Sequence, residues 1–564
     1  MRQVPLPAPG LGPGRPNLVL AGFSATGKTA VAQLAADLLE MPWVDLDEAA
    51  EQRSGLSLPQ LFRTLGESGF RELEAELLGE AARLSGAVIA TGGGAVMSSQ
   101  FAPLASGAVP MVLTASVAEI EFRLGDTSAR PMLADGGPAR IRELLAEREH
   151  AYASAGPTVE TSGKSLVEVA DLVAERYRAA AGQRPVEVTV PGPGGAYPVA
   201  VGRGSLERLE ELLRTQLPGA GRVVVVADSA VAGDVGARVT KLLRDAGREI
   251  HQMAVPRGES AKQLAVISGL WDQFLALGID RGDVIVAVGG GATLDAVGFA
   301  AATWSRGVPW VAVPTTVLAM VDASIGGKVA IDRVGAKNAV GAFHHPRAVT
   351  CDETVLGSLL PAVARDGLAE VVKSAVLASP LLLDWLGDSR PAGAVPTPHL
   401  SWLIEQAVRI KAAYVGADPE DQGLRQSLNL GHTYAHGLEA ASDFRVPHGR
   451  AVAFGLVAAA EFGAALAISE SGLPASVRRA LDRQQLLQPL PELERDRIRS
   501  ALRLDKKRRA GQAAFVVPVK GGASLVTEIQ LEQALEPLWR LLEEVQDQVE
   551  AKTTTPVGAG EPSA

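Results

Sequence analysis

The sequence predicts two α/β units followed by an α-helical unit. Strand patterns alternate with helical patterns from residue 17 to about residue 345, and such alternation is typical of parallel sheets covered by helices. A phosphate-binding glycine motif follows the first of these strands, and a second glycine cluster follows a later one. After about Pro346 the strand patterns fade, and long helical patterns rich in Ala and Leu replace them.

The main domain boundary is predicted at a Pro/Gly-rich stretch that starts near Gly182. Junctions of this composition usually carry few contacts, so we expect the two halves to behave as separate bodies. Both ends of the chain have compositions typical of disorder. The predicted segments are a disordered leader (1–16), a P-loop α/β unit (17–182), a Rossmann-like α/β unit (185–345), an α-helical unit (346–548) and a disordered tail (549–564).

Composition and charge exclude several classes of protein. A net charge of −10 argues against a binder of nucleic acid or of anionic membranes. The single cysteine, Cys351, cannot form an intramolecular disulfide and fits a reducing cytoplasm. The leader has no apolar core of a signal peptide, and the longest uncharged run, 84–118, is interrupted by Gly, Ser, Gln and Pro. We therefore expect a soluble cytoplasmic protein whose partners are small molecules.

The first unit opens on a strand, Asn17–Ala21, that leads into a full GxxxxGK[ST] motif and then into a helical pattern, Thr29–Leu39. Backbone amides of such a loop surround phosphate oxygens, and the following helix N-terminus favours negative charge. Lys28 is expected to reach the outer phosphates as a catalytic group, and the Thr29 hydroxyl to bind Mg²⁺. The predicted ATP-binding residues of the loop are Gly22, Ser24, Ala25, Thr26, Gly27, Lys28 and Thr29.

The residues that follow indicate the phosphate acceptor. Two carboxylates stand in the VDLD segment, Arg71 in GESGFRELE, a triple glycine in TGGGA, and arginines in SARPML and AEREHAY. In this order and spacing the segments resemble shikimate kinase over nearly all of residues 17–180. A different small-molecule P-loop kinase, such as a gluconate kinase, is the alternative.

The resemblance implies a role for each of these residues. Asp45 would join Thr29 near Mg²⁺, and Asp47 would orient or deprotonate the attacking hydroxyl. Arg130 would be catalytic and bind ATP from the lid, with Arg123 at the other end of the lid. The implied shikimate-binding residues are Asp47, Arg71, Gly92, Gly93, Gly94 and Arg148. The two arginines of this set could clamp a carboxylate.

The second half contains a glycine cluster and a histidine cluster. Gly289–Gly291 lies between the strand pattern Val284–Val288 and a helical pattern, a suitable place for a pyrophosphate. His432 and His436 are four residues apart and so would share one face of a helix, while His448 follows Pro447. Together with an upstream carboxylate, Glu370, histidines of this kind suit a divalent ion such as zinc with one position left open.

Several segments of this half carry a Lys or Arg among small apolar residues, which indicates a phosphorylated, acidic substrate. They include PRGESAK, GGGATLDAVGFAA, VPTTVLAMVDASIGGKVAI, GAKNAVGAF, GLAEVVK, RIKAAYVGAD and GLRQSLNLGHTYAH. In this order they resemble 3-dehydroquinate synthase over about residues 185–545. The resemblance implies NAD⁺ and a Zn²⁺ or Co²⁺ ion as cofactors, and a homodimer formed through this part.

The resemblance also assigns residues to each group. Glu370, His432 and His448 would hold the metal, and His436 would act near the substrate without being a ligand. The implied NAD-binding residues are Asp228, Glu259, Lys262, Gly290, Gly291, Asp295, Thr315, Thr316 and Lys337. The implied residues for a heptulosonate phosphate are Asp322, Lys328, Asn338, Lys373, Lys411, Arg425, Asn429 and Lys506, of which Lys328, Lys373, Lys411 and Arg425 would be catalytic together with His436.

The chain departs from the family pattern at several positions. Leu294 stands where a later glycine of the nucleotide turn is expected, Arg450 where a carboxylate is common, and His345 where a glutamine is frequent. Leu294 is expected to alter the cofactor turn. Three alternatives stay open: a cyclase acting on sedoheptulose 7-phosphate, a glycerol-dehydrogenase-like oxidoreductase, and a scaffold in which one half is not catalytic.

Overall fold

The structure is a computed structural model that describes residues 1–124, 137–182, 185–334, 336–388, 399–508 and 514–554. Arg130 lies outside these residues, and so does the side chain of Lys506, so neither prediction is addressed. Among the described helices, none is long and apolar enough to cross a membrane.

The first unit is a parallel sheet of five strands in the order β3-β4-β2-β5-β6. Its central strand is covered on both faces, since Leu18, Val19 and Leu20 are fully buried, as expected for a parallel sheet between helices. The strands are β2 (Asn17–Gly22), β3 (Trp43–Asp45), β4 (Val88–Ala90), β5 (Ala108–Thr114) and β6 (Thr158–Glu160). The helices are α1 (Lys28–Leu39), α2 (Leu46–Ser54), α3 (Leu58–Ala81), α4 (Phe101–Ser106), α5 (Val117–Leu124), α6 (Gly137–Ala155) and α7 (Leu166–Ala181).

The second unit contains a seven-stranded sheet in the order β10-β9-β11-β12-β15-β8-β7. All neighbours are parallel except β7 and β8. The strands are β7 (Val186–Val190), β8 (Tyr197–Val201), β9 (Val223–Asp228), β10 (Ile250–Val255), β11 (Val284–Gly289), β12 (Trp310–Pro314) and β15 (Val349–Cys351). The helices are α8 (Leu209–Gln216), α9 (Ala237–Asp245), α10 (Leu264–Leu277) and α11 (Gly291–Thr303), and an antiparallel hairpin of β13 (Lys328–Arg333) and β14 (Ala336–Phe343) follows β12.

The last unit is mainly helical and holds a small sheet of three strands. Its helices are α12 (Pro361–Ala378), α13 (Pro380–Asp388), α14 (Leu400–Ala417), α15 (His432–Ala441), α16 (His448–Ala465), α17 (Leu473–Arg483), α18 (Arg495–Arg508) and α19 (Leu531–Thr554). The strands β16 (Phe515–Val519) and β17 (Gly522–Thr527) form an antiparallel hairpin. The fold class is thus as predicted, although β15 extends the NAD-type sheet beyond the expected limit at residue 345.

The prediction of disorder at the two ends is wrong for most of the described residues. Residues Arg2–Pro7 form strand β1, which pairs antiparallel with β17 and places Leu6 opposite Ala523. The pairing brings the N-terminus into the last unit of the chain, where Leu6 is buried. At the other end α19 continues to Thr554, and residues 555–564 lie outside the described part of the chain.

The expectation that few contacts cross between the halves is also wrong. Arg53 Nε lies 2.8 Å from Asp384 Oδ2, and Arg83 Nε donates to the carbonyl of Ala378 at 2.7 Å. Trp402 Nε1 donates to the carbonyl of Ser85 at 2.6 Å. These contacts were invisible in the sequence because each joins residues more than 290 positions apart.

A cut in the junction should leave the two halves associated. The cut is made at a protease site inserted at residues 183–184, between α7 and β7. We expect both fragments to elute together in size-exclusion chromatography, because β1 stays paired with β17 and the buried polar contacts persist. Deletion of residues 1–8 before cleavage is the matched variant and should weaken the association. Separate elution of the fragments from the full-length cleaved chain would contradict this interpretation.

Candidate functional sites

The nucleotide loop of the first unit has the expected strand–loop–helix geometry. It leaves β2 and enters α1 through Gly27, whose φ of 91° lies in the region that glycine adopts freely. Lys28 Nζ donates to the carbonyl of Phe23 at 3.0 Å, and Thr26 Oγ1 donates to the same oxygen at 2.8 Å. The Lys28 side chain therefore lies over its own loop. Its ammonium group could exchange this carbonyl for a phosphate oxygen when a nucleotide binds.

A candidate magnesium site lies where β3 ends. Thr29 Oγ1 donates to Asp45 Oδ2 at 2.5 Å. The other carboxylate oxygen, Oδ1, accepts a hydrogen bond from the Asp47 amide at 2.9 Å and so caps helix α2. One oxygen of Asp45 is thus fixed by the fold, and the other faces the nucleotide loop with a hydroxyl beside it. This pair of oxygens fits Mg²⁺, which usually takes few protein ligands and completes its shell with water and phosphate.

The predicted acceptor residues gather around the Gly92–Gly94 loop, which follows β4. A Cβ atom at Gly94 would lie 2.3 Å from Arg71 Nη1, and one at Gly92 would lie 2.9 Å from Asp47 Oδ1. The loop therefore has to be free of side chains for Arg71 and Asp47 to approach. Arg148 Nη1 donates to the carbonyl of Gly93 at 3.0 Å, which completes a pocket with two guanidinium groups and one carboxylate at its wall.

Two residues that the sequence analysis missed support this pocket. Glu74 is buried and its Oε2 accepts from Arg71 Nη1 at 2.8 Å, an i,i+3 pairing on α3 that could have been found from the spacing. The hydroxyl of Tyr152 donates to the carbonyl of Gly93 at 2.6 Å, and burial raises the pKa of Tyr152 to about 12. Tyr152 therefore stays a hydrogen-bond donor at physiological pH.

Arg123 lies beside the nucleotide loop. Its Nη1 donates to Thr161 Oγ1 at 3.0 Å and to the carbonyl of Ala25 at 3.4 Å. Its Nη2 donates to the carbonyl of Thr161 at 3.1 Å. The guanidinium group is thus held at the last strand of the sheet and next to the phosphate-binding loop.

In the second unit the glycine turn lies between β11 and α11. Gly290 is the N-cap of α11, and a Cβ atom there would lie 3.3 Å from Thr316 Cγ2. The amide of Thr315 donates to the carbonyl of Gly289 at 2.9 Å. Leu294 is one turn inside the helix, buried in the core, so it packs beneath the turn and does not form it. At the end of β9, Asp228 Oδ2 accepts from Thr293 Oγ1 at 3.2 Å.

The other predicted NAD residues form a group of ion pairs. Lys262 is buried, and its Nζ donates to Asp295 Oδ2 at 2.6 Å and also contacts Asn338 Oδ1. Burial raises the pKa of Asp295 to about 6. Lys337 Nζ lies 3.2 Å from Glu259 Oε1 and 4.4 Å from the ring centroid of Phe444.

The candidate metal centre joins three helices. Glu370 lies inside α12, while His432 and His448 are the first residues of α15 and α16. The two Nε2 atoms each lie 3.5 Å from Glu370 Oε1, and one ligand atom from each residue lies within 4.8 Å of the others. Ligand atoms around a tetrahedral zinc ion at its usual bond lengths are about 3.4 Å apart. The three predicted ligands are therefore spaced as a metal ion requires.

The Glu370 carboxylate needs a cationic partner that the protein supplies only in part. It is almost fully buried, and neither oxygen accepts a hydrogen bond of normal geometry from a described residue, although the Lys373 ammonium contacts Oε2. A buried charge without full compensation is costly. A divalent cation beside Oε1 would supply the missing compensation, so these residues fit the metal that the sequence predicts.

The second nitrogen of each histidine ring is already engaged. His432 Nδ1 lies 3.2 Å from the carbonyl of Leu430, and His448 Nδ1 lies 3.3 Å from Glu439 Oε1. Such contacts fix the ring orientation and would direct Nε2 to a bound ion. Glu439 was missed by the sequence analysis, because nothing in the sequence shows that α15 and α16 pack side by side.

The two histidines differ in their affinity for protons. Burial lowers the pKa of His432 to about 3, so its ring is neutral and ready to bind metal. Burial alone would also lower the pKa of His448, but the carboxylates of Glu370 and Glu439 raise it to about 10. Metal binding therefore has to displace a proton from His448. His436 is exposed one turn beyond His432, with the two ring centroids 5.8 Å apart.

The other predicted substrate cations with described side chains each contact a carboxylate or a carbonyl group. Lys411 Nζ donates to the carbonyl of Asp322 at 2.5 Å and contacts its carboxylate, and burial lowers the pKa of Lys411 to about 8. Arg425 Nη2 donates to the carbonyl of Gly326 at 2.9 Å. Lys328 contacts the carboxylate of Asp421, which the sequence analysis did not select.

One predicted position and two of the departures from the family pattern remain. Asn429 ends the short helical turn that starts at Leu424 and leads to His432. Arg450 donates to the carbonyl of Gln488 at 2.6 Å. The ring of His345 packs edge-on against Tyr197, and burial lowers the pKa of His345 to about 4.

Comparison with known proteins agrees with this geometry. Family models match residues 24–178 as shikimate kinase, 252–365 as 3-dehydroquinate synthase N-terminal and 367–508 as 3-dehydroquinate synthase C-terminal. A 3-dehydroquinate synthase of Symbiobacterium thermophilum is 40% identical over 334 residues, which are 59% of this chain and 93% of that protein. The corresponding protein of Thermobifida fusca is 40% identical over 338 residues, 58% of this chain and 90% of its own length.

A solved structure shares the fold of the second half. The 2-epi-5-epi-valiolone synthase of Streptomyces hygroscopicus subsp. jinggangensis, which has NAD⁺ and Zn²⁺ bound, is 26% identical with a TM-score of 0.54. The match covers 62% of this chain and 97% of that protein. Family matches and geometry thus agree that the chain belongs to the 3-dehydroquinate synthase family and carries a shikimate kinase domain ahead of the synthase domains.

Proposed function

We infer that the chain is a bifunctional enzyme of the shikimate pathway. Its first unit phosphorylates shikimate with ATP to give shikimate 3-phosphate. Its second half converts 3-deoxy-D-arabino-heptulosonate 7-phosphate to 3-dehydroquinate and releases phosphate. The observation that carries this conclusion is the presence of two separate sites in a chain that matches both families, each with its charged residues already gathered in the folded protein.

In the kinase, positioning and charge stabilisation provide the catalysis. Lys28 and the loop amides would hold the outer phosphates, and Thr29 with Asp45 would hold a Mg²⁺ ion, which supplies positive charge to the phosphates when bound. Asp47 orients the attacking hydroxyl, or accepts its proton, beside the Gly92–Gly94 loop. Arg71 and Arg148 bind the acceptor carboxylate, and Glu74 keeps Arg71 in place. Arg130 is assigned to the nucleotide on the basis of family resemblance alone.

In the synthase, NAD⁺ and a divalent ion supply the reversible oxidation and the polarisation of one substrate hydroxyl when they are bound. Glu370, His432 and His448 would hold a Zn²⁺ or Co²⁺ ion. Two sets of residues would hold NAD⁺. Asp228, Gly290, Gly291, Thr315 and Thr316 surround the glycine turn, and Glu259, Lys262, Asp295 and Lys337 form the ion-pair group.

The substrate phosphate and carboxylate require a cluster of cations. Lys328, Lys373, Lys411 and Arg425 supply these charges, with Asn338, Asn429 and Lys506 as further contacts. Asp322 accepts from Lys411 and so directs its ammonium group into the site. His436 is exposed next to the metal-binding residues and is placed to move a proton to or from the substrate. The alternative of a sedoheptulose 7-phosphate cyclase has less support, because the relatives at 40% identity are 3-dehydroquinate synthases.

We place the protein in the cytoplasm, where ATP, NAD⁺ and a reduced thiol such as Cys351 coexist.

We also propose that it forms a homodimer through the synthase part. The β13–β14 hairpin supports this proposal, because β14 pairs only with β13 among the described strands and exposes Val340 and Phe343 by 43% and 51%. An exposed strand edge with apolar side chains is a common dimer contact.

Substitution of Lys28 by Ala should lower shikimate phosphorylation by about 10²- to 10³-fold, because the phosphates lose a positioned charge. Phosphate release from the heptulosonate phosphate should be unchanged. Coupled ADP and phosphate assays on the same preparation measure both rates. Lys164→Ala is the matched control, since Lys164 is exposed and its Nζ donates to the nearby carbonyl of Glu160. A Lys28 variant with near wild-type kinase activity would refute the assignment.

Substitution of Glu370 by Gln should remove the metal and stop phosphate release, because an amide is a poor ligand. His436→Ala should keep the metal yet slow turnover. Glu439→Ala should retain all three ligands but weaken metal affinity by about 10- to 100-fold, as loss of an orienting carboxylate does. Metal content and competition with a chromogenic chelator measure these effects without any assay of activity. Loss of metal in the His436 variant would show that the wrong histidine was chosen as a ligand.

Substitution of Val340 by Asp should convert the dimer to a monomer, because it places a charge on the exposed strand. Light scattering coupled to size-exclusion chromatography gives the mass. Val334→Asp is the control, because Val334 is fully exposed in the turn of the same hairpin and is not part of β14. A wild-type chain that is monomeric, or a Val340→Asp variant that stays dimeric, would contradict the proposed interface.

A further inference from the structure

Helix α14 has a polar face that is buried. Trp402, Glu405, Gln406 and Arg409 are spaced i, i+3, i+4 and i+7, so they share one face of the helix. Each is less than a tenth exposed. A polar face of this kind normally faces water. When it is buried, its donors and acceptors need hydrogen-bond partners within the protein.

The partners lie in the kinase unit and in the segment 12–15 that leads into its first strand. The carbonyl of Ser85 accepts from Trp402 Nε1 at 2.6 Å and from Gln406 Nε2 at 2.9 Å. Glu405 Oε1 accepts from the Arg15 amide at 2.9 Å and also contacts the Ser85 hydroxyl. All four bonds join the two halves of the chain.

Arg409 completes the interface. Its Nη2 donates to the carbonyl of Gly12 at 2.8 Å, and its Nη1 donates to the carbonyl of Arg83 at 3.0 Å. The Arg409 side chain is only 5% exposed, so water could not readily replace the carbonyls of Gly12 and Arg83 as its partners. The polar face of α14 is therefore built to bind the kinase segments 12–15 and 83–85.

The same helix enters the synthase site. Two residues after Arg409, Lys411 projects to a different face and donates to Asp322. On the kinase side, Ser85 is three residues before β4, and β4 leads to the Gly92–Gly94 loop. A single rigid helix therefore contacts the kinase core with one face and the synthase site with another.

We propose that the kinase unit is a structural part of the synthase site. Docking of segments 12–15 and 83–85 on Trp402, Glu405, Gln406 and Arg409 holds α14 in the position that presents Lys411 to Asp322. These four residues are positioning residues, since none of them contacts Asp322 or the metal-binding residues in the contacts described above. The role of Lys411 in binding substrate rests on the proposed function, but its placement by the docked kinase does not.

The test uses the full-length protein with Trp402→Phe and, separately, Arg409→Met. Trp402→Phe removes one hydrogen bond at a position nine residues from Lys411, so any effect on Lys411 has to travel through the helix. Arg540→Met is the matched control, because Arg540 is largely exposed and forms an ion pair with Glu461. Two readouts need no substrate: amide hydrogen exchange in residues 83–88, and acetylation of Lys411 by a small amine-reactive ester, followed by mass spectrometry.

We expect both interface variants to exchange faster in residues 83–88 and to acetylate Lys411 about 10-fold faster than the wild type. The KM for the heptulosonate phosphate should rise in parallel, and Arg540→Met should behave as the wild type. Unchanged exchange in residues 83–88 would show that this face does not hold the kinase. Faster exchange there with unchanged Lys411 acetylation would show that α14 does not need the kinase. Either result overturns the proposal.

A failure of the proposed function gives a different result. If the wild type releases no phosphate from the heptulosonate phosphate, the assigned activity is wrong, whereas exchange and acetylation still decide whether the kinase positions Lys411. If Arg409→Met is insoluble, Trp402→Phe provides both readouts, since it keeps an aromatic ring of similar shape in the same contact.

Discussion

The buried carboxylate of Glu370 is the constraint on which the synthase half depends. An uncompensated carboxylate in a protein interior costs several kcal/mol, so the fold has to bring cationic groups to it. The Lys373 ammonium comes from the same helix and the protonated ring of His448 from the first turn of α16, while α15 adds the neutral ring of His432. Compensation of this one charge therefore helps to fix the placement of α16 against α12, and α15 brings a third ligand beside them. The same placement leaves three ligand atoms at metal-binding spacing.

Helix α14 imposes a second constraint, which acts between the halves. Removing the partner of a buried hydrogen-bonding group costs about 1–3 kcal/mol, and α14 buries four such side chains against the kinase. Even part of this cost is large beside the marginal stability of a folded domain. A freestanding synthase would therefore need different residues at positions 402, 405, 406 and 409. These side chains indicate that the two units are adapted to each other as well as joined.

The local chemistry of both sites could be predicted from the sequence. The nucleotide loop, the Gly92–Gly94 loop and the Glu370–His432–His448 set each depend on a short motif or on an ordered series of motifs. What the sequence did not reveal depends on packing between distant segments. Glu439 supports His448 only because α15 lies against α16, and strand β1 forms only because β17 offers it an open edge. Composition alone made residues 1–16 resemble a disordered leader, because pairing between strands at residues 2–7 and 522–527 leaves no local trace in the sequence.

The path of the chain gives the interface a further physical basis. Strand β1 belongs to the small sheet of the last unit, so the chain leaves the synthase at Pro7, forms the kinase and returns at β7. The kinase unit is thus tethered to the synthase at both ends, as an insertion would be. A second tether raises the effective concentration of the docking surfaces and lowers the entropic cost of closing the interface. The small sheet also packs against the turn Leu424–Asn429, which carries Arg425. The N-terminal strand therefore helps to hold the turn that carries Arg425, although it precedes the whole kinase unit in the chain.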